Sequence, residues 1–242
     1  MNNKKTNLSL NKRTGNMYEF VTHTWNPIKG ICYHQCRYCY MRYLLKEPYL
    51  RQPVLVEGEF SRNLNEAKVL FVGSSIDMFA KDIPDEWIMR VLDRCASFNE
   101  DKPEGGHIVF LLQSKNPARI LQFAHHPIMA HAVVATTLET NRYDSNIMGN
   151  SPKIIDRASA MEQIADMGIY TMVTAEPLID FDLDEFVNII RRCNPRRVNI
   201  GKNSAKDYRV PEPDPKKVHD LVTSLRAFTR VEIKNNASIW FE

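Results

Sequence analysis

Cys32, Cys36 and Cys39 stand within eight positions of one another in "CYHQCRYCYM", a C-x3-C-x2-C spacing with no fourth cysteine nearby. Thiolates gathered this closely are metal ligands in the first instance, and the polar neighbours Tyr33, His34, Gln35 and Arg37 do not read as a core strand. A structural zinc site closes with four ligands, usually from C-x2-C pairs far apart in sequence. A second pair is missing here, so that reading needs His34 or His23 to complete a Cys3His set. The ferredoxin pattern needs a further Cys beyond C-x2-C-x2-C, and that is absent too. Three thiolates suit a 4Fe–4S cluster in which one iron has no protein ligand, and an open coordination position marks a working metal site rather than a structural one. Cys95 and Cys193 fall in helical-looking segments and read as buried small hydrophobes. An odd total of 5 cysteines fits a disulfide framework poorly and a reduced, cytoplasmic compartment well.

The elements that must position these thiols alternate strictly. "EFVTHTWNP" reads as a first strand, and "YMRYLLKEPYL" as a helix running to Pro48. Then "KVLFVGSS", "HIVFLLQS", "HAVVATTLET", "IYTMVTAEPL", "RRVNIG" and "RVEIKN" read as strands. Between them "PDEWIMRVLDRCASF", "NPARILQFAHH", "KIIDRASAMEQIADMG", "DLDEFVNIIRRC" and "DPKKVHDLVTSLRAF" read as helices, with Pro or acidic residues early and Gly168 as one stop. About seven strands in this alternation imply an α/β fold with parallel strands and outer helices, a barrel or partial barrel competing with an open doubly wound sheet. Residues 1–17 read as a basic, flexible lead-in and 18–242 as one domain. In such folds functional groups collect at the C-terminal strand ends. Here those ends carry Asn26; Ser74, Ser75 and Asp77; Ser114, Lys115 and Asn116; Thr137, Glu139 and Asn141; Glu176; and Gly201, Lys202 and Asn203.

The chain has 242 residues, 43% hydrophobic and 25% charged, enough to bury a core and stay soluble. No apolar run reaches the roughly 18 residues of a membrane span, and the first twenty residues lack a signal-peptide pattern. The formal charge of +3 is small but uneven: residues 1–50 carry eight Lys/Arg against Glu19 and Glu47, so the rest of the chain is net acidic. A basic end beside the cysteine loop favours an anionic ligand or polymer.

With Tyr38 before the last cysteine, C-x3-C-x-aromatic-C resembles the signature of the radical S-adenosylmethionine superfamily. It lies where that superfamily carries it, in the loop after the first strand of a (β/α)6-type partial TIM barrel. "TWNPIKGICYHQCRYCYMR", "FVGSSIDMFAKDIPDEWI", "LLQSKNPARI", "ATTLETN" and "TAEPLIDFDL" occur in the order seen in a phage-associated, single-domain branch, itself distantly similar to spore photoproduct lyase. The match covers roughly residues 20–205.

The resemblance implies that Cys32, Cys36 and Cys39 hold a 4Fe–4S cluster and that S-adenosylmethionine chelates its open iron. One electron from a flavodoxin- or ferredoxin-type reductant then yields a 5′-deoxyadenosyl radical. Ser74 and Ser75 occupy the place of the superfamily's Gly-Gly-Glu stretch; this chain has no Glu there, leaving Asp77 or backbone carbonyls to meet the methionine ammonium. Thr137, Glu139 and Asn141 fall where ribose and carboxylate are recognised, Lys115 is placed to pair the methionine carboxylate, and Tyr38 to pack on adenine or shield the cluster. Lys115 and Glu176 are the candidate catalytic side chains. Acceptors suit ammonium and hydroxyl groups, and a cation suits a carboxylate. A nucleic acid or nucleotide is the leading substrate class. A peptide substrate, or a non-catalytic Fe–S or Zn module, are the alternatives. The short chain has no second cysteine cluster, and a partial barrel leaves a lateral opening for a macromolecule.

Overall fold

The computed structural model describes residues 9–44, 52–100, 102–103 and 105–242. Its centre is an eight-stranded sheet, built in chain order with helices laid outside it. β1 (Asn11–Lys12) runs antiparallel to β2 (His23–Trp25), and β3 (Ile28–Lys29) pairs with β4 (Val54–Leu55) as a separate two-stranded ribbon. A short helix α1 (Tyr40–Leu44) follows the cysteine loop. Then come β5 (Val69–Val72), α2 (Asp85–Ser97), β6 (Val109–Gln113), α3 (Pro117–Ile120), β7 (Ala132–Thr137), α4 (Ser145–Met148), α5 (Ile154–Asp166) and β8 (Tyr170–Ala175). The chain closes with α6 (Leu183–Arg192), β9 (Arg197–Ile200), α7 (Pro215–Arg226) and β10 (Arg230–Ile233).

Strand order is β1-β2-β5-β6-β7-β8-β9-β10, and every pair from β2 to β10 is parallel. The sheet ends at β1 and β10, so it is a partial barrel of the (β/α)6 kind, with β10 as an added parallel strand. All seven expected strands are present.

The helices dock through one apolar stripe each: Ile88, Val91, Leu92 and Cys95 on α2; Phe186, Val187, Ile189 and Ile190 on α6; Val218, Leu221, Val222 and Leu225 on α7. Each fully buried Leu, Ile, Val or Phe contributes about 1.5–3 kcal/mol. Asp214 caps α7 by accepting from the Lys216 N–H at 2.8 Å. α6 opens on Asp184 and Glu185 and ends on Arg191 and Arg192, matching the helix dipole.

Three expectations change. The helix expected over 116–126 stops at Ile120 and continues as a 3-10 turn over Leu121–Phe123, and Pro127 then holds His126 extended, ψ 138°, which bars any longer helix. The helix expected to run to Pro48 is seen over Tyr40–Leu44, and its remainder lies outside the described residues. Of the lead-in 1–17, residues 1–8 lie outside them too. The rest joins the fold: β1 pairs with β2, and Leu10 is buried.

Candidate metal centre

The cysteine loop leaves β2 at the C-terminal end of the strands, beside the ends of β5, β6 and β7. Asp77 binds it there. Its carboxylate accepts from His34 Nε2 at 2.8 Å, from Ser114 Oγ at 2.9 Å, from the Lys115 N–H at 2.8 Å and from the Phe79 N–H at 3.0 Å. Burial pushes this carboxyl up, but His34 and the other donors outweigh it and hold it below the usual range. With both oxygens so engaged, Asp77 is committed to tying the loop to two strand ends rather than to a methionine ammonium. His34, in turn, has Nε2 on Asp77 and Nδ1 buried without a partner.

A second polar knot lies behind Cys36. Glu139 is fully buried, and its Oε2 accepts from Arg157 Nη1 at 2.8 Å while Tyr38 donates its hydroxyl to Oε1. Lys115 Nζ stands 3.7 Å from the same Oε1, 3.3 Å from Thr137 Oγ1 and 5.5 Å above the Tyr38 ring centre. Burial raises the Glu139 carboxyl, yet the two cations outweigh it and keep it ionised. Arg157 also donates to the carbonyls of Pro152 (2.8 Å) and Thr137 (2.9 Å) and to Ser151 Oγ (2.7 Å), so four of its five N–H groups are engaged. Glu139 is therefore enclosed rather than open to ribose, and Tyr38 is a buried screen behind the thiols. Arg157 was not anticipated, although its place on the apolar face of α5, with Ile154, Ala158 and Met161, was readable.

All three thiols are free; Cys36 is buried, and Cys32 and Cys39 are partly so. Burial pushes Cys32 up to about 12, with the Asp77 charge adding to the effect. Burial also raises Cys36, against the pull of Lys115. Such thiols keep their protons until a metal displaces them. Burial works against the Lys115 charge, and the neighbouring Glu139 carboxylate favours it. Among the described residues no group of three or more His, Cys, Asp or Glu converges on one ion. His23 sits at the start of β2, its Nδ1 3.2 Å from Thr22 Oγ1; of the two imidazoles only His34, with Nε2 on Asp77 and Nδ1 unpartnered, has a ring nitrogen to offer a Cys3His set. A 4Fe–4S cluster asks for something else, one thiolate per iron on a set of separated irons. The donor set here, three unpaired thiols with a half-buried cation beside them, fits that group.

Other predicted residues are distributed around this centre. Ser74 and Ser75 stand close by: Asn26 Oδ1 accepts from Ser74 Oγ (3.2 Å) and from the Ser75 N–H (2.9 Å), and Tyr40 donates to the Ser74 carbonyl at 3.1 Å. Thr137 shares the Lys115 ammonium. Asn141 is not brought to the site. It donates to Asp182 Oδ2 at 3.0 Å and Glu185 Oε2 at 2.8 Å, and accepts from the Asp182 N–H at 2.8 Å, which makes it part of the start of α6.

Glu176 lies toward the β10 side. It accepts from Lys234 Nζ (2.6 Å) and Asn16 Nδ2 (2.7 Å), and burial keeps its carboxyl raised although Lys234 opposes this. Gly201 makes room for it: a Cβ there would stand 2.8 Å from Glu176 Cδ. Residues 16–20 cross the inner face at this edge. Tyr18 donates to Gln113 Oε1 at 2.8 Å, its ring stacks on Phe20 at 5.5 Å, and Lys234 and Arg197 close the stack at 4.7 and 4.6 Å. This strap and β9–β10 enclose a cavity of about 290 Å³, into which Asn16, Asn199 and Lys234 face. The lateral opening expected of a partial barrel is thus narrowed from within.

No protein-family model matches this sequence, and no curated protein matches it. Solved structures do share its architecture. The chain superimposes on spore photoproduct lyase complexed with dinucleoside spore photoproduct with a TM-score of 0.66 at 11% identity, covering 91% of this chain and 79% of that one. Streptococcus suis SuiB bound to S-adenosylmethionine gives 0.52 at 11%, covering 87% of this chain and 46% of that one. SuiB bound to precursor peptide SuiA gives 0.55 at 10%, covering 86% and 48%. The chain thus spans nearly half of SuiB. These likenesses establish the fold, a partial barrel with a mainly parallel sheet.

Proposed function

We propose that the chain is a radical S-adenosylmethionine enzyme of the phage-associated single-domain kind, with Cys32, Cys36 and Cys39 as ligands of a 4Fe–4S cluster. The observation that carries this reading is the set of three unpaired thiols at the mouth of the half-barrel, with the Lys115 ammonium held between Glu139 and the thiols. Its support from elsewhere is the shared fold with proteins whose structures contain S-adenosylmethionine or a dinucleoside lesion. When bound, the cluster and S-adenosylmethionine together supply a one-electron cleavage to methionine and a 5′-deoxyadenosyl radical.

The chain's own residues do the rest. Lys115, partly exposed beside Cys36 and Cys39, receives the methionine carboxylate. Ser74, Ser75 and the carbonyls around them accept from the ammonium, because Asp77 is taken. Thr137, within 3.3 Å of the Lys115 ammonium, borders the same pocket. Tyr38 and Tyr40 screen the thiols from water. Glu176, raised by burial and bonded to Lys234 and Asn16 of the cavity wall, is the side chain placed to hold or give a proton on the substrate side. A flavodoxin- or ferredoxin-type protein in the cytoplasm delivers the electron.

A nucleic acid or nucleotide is the substrate class the surface favours. Arg37 and Arg42 stand exposed on the cysteine loop and α1, next to the thiols. The test is anaerobic reconstitution with iron and sulfide, then dithionite and S-adenosylmethionine with perdeuterated oligonucleotide or peptide. Release of 5′-deoxyadenosine carrying deuterium from the oligonucleotide supports the whole reading. Deuterium from peptide alone moves the substrate class, and absence of the nucleoside removes the enzyme reading.

A further inference from the structure

We infer that the segment 147–151, from the end of α4 into its connection to α5, is a template that holds the metal-free cysteine loop in its ligand-binding shape, with Gly149 and Asn150 as positioning residues. The inference rests on the cluster reading above and concerns how the chain prepares that site.

The loop needs outside support. Its C-x3-C spacer closes through the Gln35 N–H, which donates to the Cys32 carbonyl at 3.2 Å, with Gln35 at φ +50°. That left-handed conformation is unfavourable for a residue with a Cβ, so an isolated loop of this sequence relaxes out of it. The Tyr33 and His34 carbonyls of the spacer find their partners outside the loop, and buried backbone groups must be paired somewhere.

The turn supplies those partners. The Asn150 N–H donates to the His34 carbonyl at 2.7 Å, and the Asn150 side-chain amide donates to the Tyr33 carbonyl at 3.1 Å. On the other side the Arg37 N–H donates to the Ile147 carbonyl at 2.9 Å. Residues 33, 34 and 37, spread through the motif, are thereby pinned to one short segment.

Gly149 is what allows the approach. At φ +60° it adopts a conformation other residues avoid, and a Cβ there would stand 2.1 Å from the His34 carbonyl oxygen and 2.9 Å from both C and O of Gln35. These are backbone atoms, which cannot swing aside as a side chain would. The turn is itself fixed to the domain, because Ser151 Oγ accepts from Arg157 Nη2 at 2.7 Å and Tyr143 donates to the Ser151 carbonyl at 3.0 Å. Arg157 thus reaches the cysteine motif twice, through Glu139 to Tyr38 and through Ser151 to the turn. A loop held this way presents its thiols before metal arrives, so the ordering cost is met in folding rather than in binding.

The experiment is anaerobic titration of iron and sulfide into the full chain and into Gly149→Ala and Asn150→Ala, with electron paramagnetic resonance of the reduced samples and circular dichroism and melting for each. Gly149→Ala is expected to keep its secondary structure but to bind iron at least about tenfold more weakly, the usual effect of losing support behind metal ligands. Asn150→Ala, an exposed position that removes one hydrogen bond, is expected to melt with the wild type yet lose about fivefold in iron affinity. Wild-type iron affinity and an unchanged resonance spectrum in both variants overturn the inference. Should Gly149→Ala fail to fold, Asn150→Ala decides alone by the same criterion. A wild-type chain that assembles no cluster removes the underlying reading and this inference with it, whereas normal assembly in wild type and both variants removes this inference only.

Discussion

The Cys32 thiol, pushed up to about 12 by burial, and the Cys36 thiol, raised by the same cause, are poor thiolates alone. In the proposed site iron would take the place of those protons, and Lys115 is the cation beside them to offset the charge. Replacing Cys36 with Ala should therefore abolish cluster assembly, while Cys95→Ala, on the buried face of α2, should leave iron and sulfide content intact. Equal loss from both would show the ligands to be misassigned. Lys115→Met should retain the cluster but bind S-adenosylmethionine about tenfold more weakly, the scale of one charge-assisted hydrogen bond; calorimetry on the reconstituted protein checks this. That the cysteines and Lys115 would lie together at the strand ends was legible in the sequence, because each follows an apolar strand run with a polar stop. Asp77 and Glu139 were not legible in role. A sequence shows that an acid ends a strand, but not that His34 or Arg157, distant in the chain, will occupy it.

At the scale of elements, α5 is bound to the sheet by an ion pair that is wholly out of water, Arg157 on Glu139. Removing one partner of such a pair leaves an uncompensated charge, so Arg157→Met should destabilise the fold by about 3–5 kcal/mol. The double variant with Glu139→Gln should lose less than the two single losses combined. Chemical denaturation of the four proteins measures this. A smaller effect belongs to the stacked rings of His107 and His131, 4.1 Å apart where β6 and β7 begin. Burial, and then the neighbouring His107, lower the His131 value in the folded chain. The unfolded chain then binds the proton more readily, so stability should fall as pH drops through about 6.5. His131→Phe, which keeps the stacking, should flatten melting temperature against pH between about 7.5 and 5.5; an equally steep profile in the variant would contradict this. The parallel strands were readable because each is a short apolar run with a polar stop. β1 was missed because two residues carry no periodicity, and the limit on α3 was missed because Pro127 lies beyond the segment it limits.

Taken whole, the molecule places basic groups on and beside the cysteine loop while narrowing its own lateral entrance with residues 16–20. The strap was invisible in the sequence, since "GNMYEF" declares neither its stacking between Lys234 and Arg197 nor its place inside the sheet. An anionic polymer lying on the mouth would meet Arg37 and Arg42. Replacing both with Ala should weaken binding of single-stranded oligonucleotide and reduce the slope of log K against log salt by about 1.4, roughly 0.7 for each phosphate left without its cation; an unchanged slope would remove the nucleic-acid surface from this face. The central claim is the iron that three cysteines leave without a protein ligand. It is tested most directly by the electron paramagnetic resonance of the reduced, reconstituted protein with S-adenosylmethionine labelled with ¹⁷O in its carboxylate. Broadening of the cluster signal by the label is the predicted result. A signal indifferent to S-adenosylmethionine, or a colourless protein holding one zinc ion, would contradict the account.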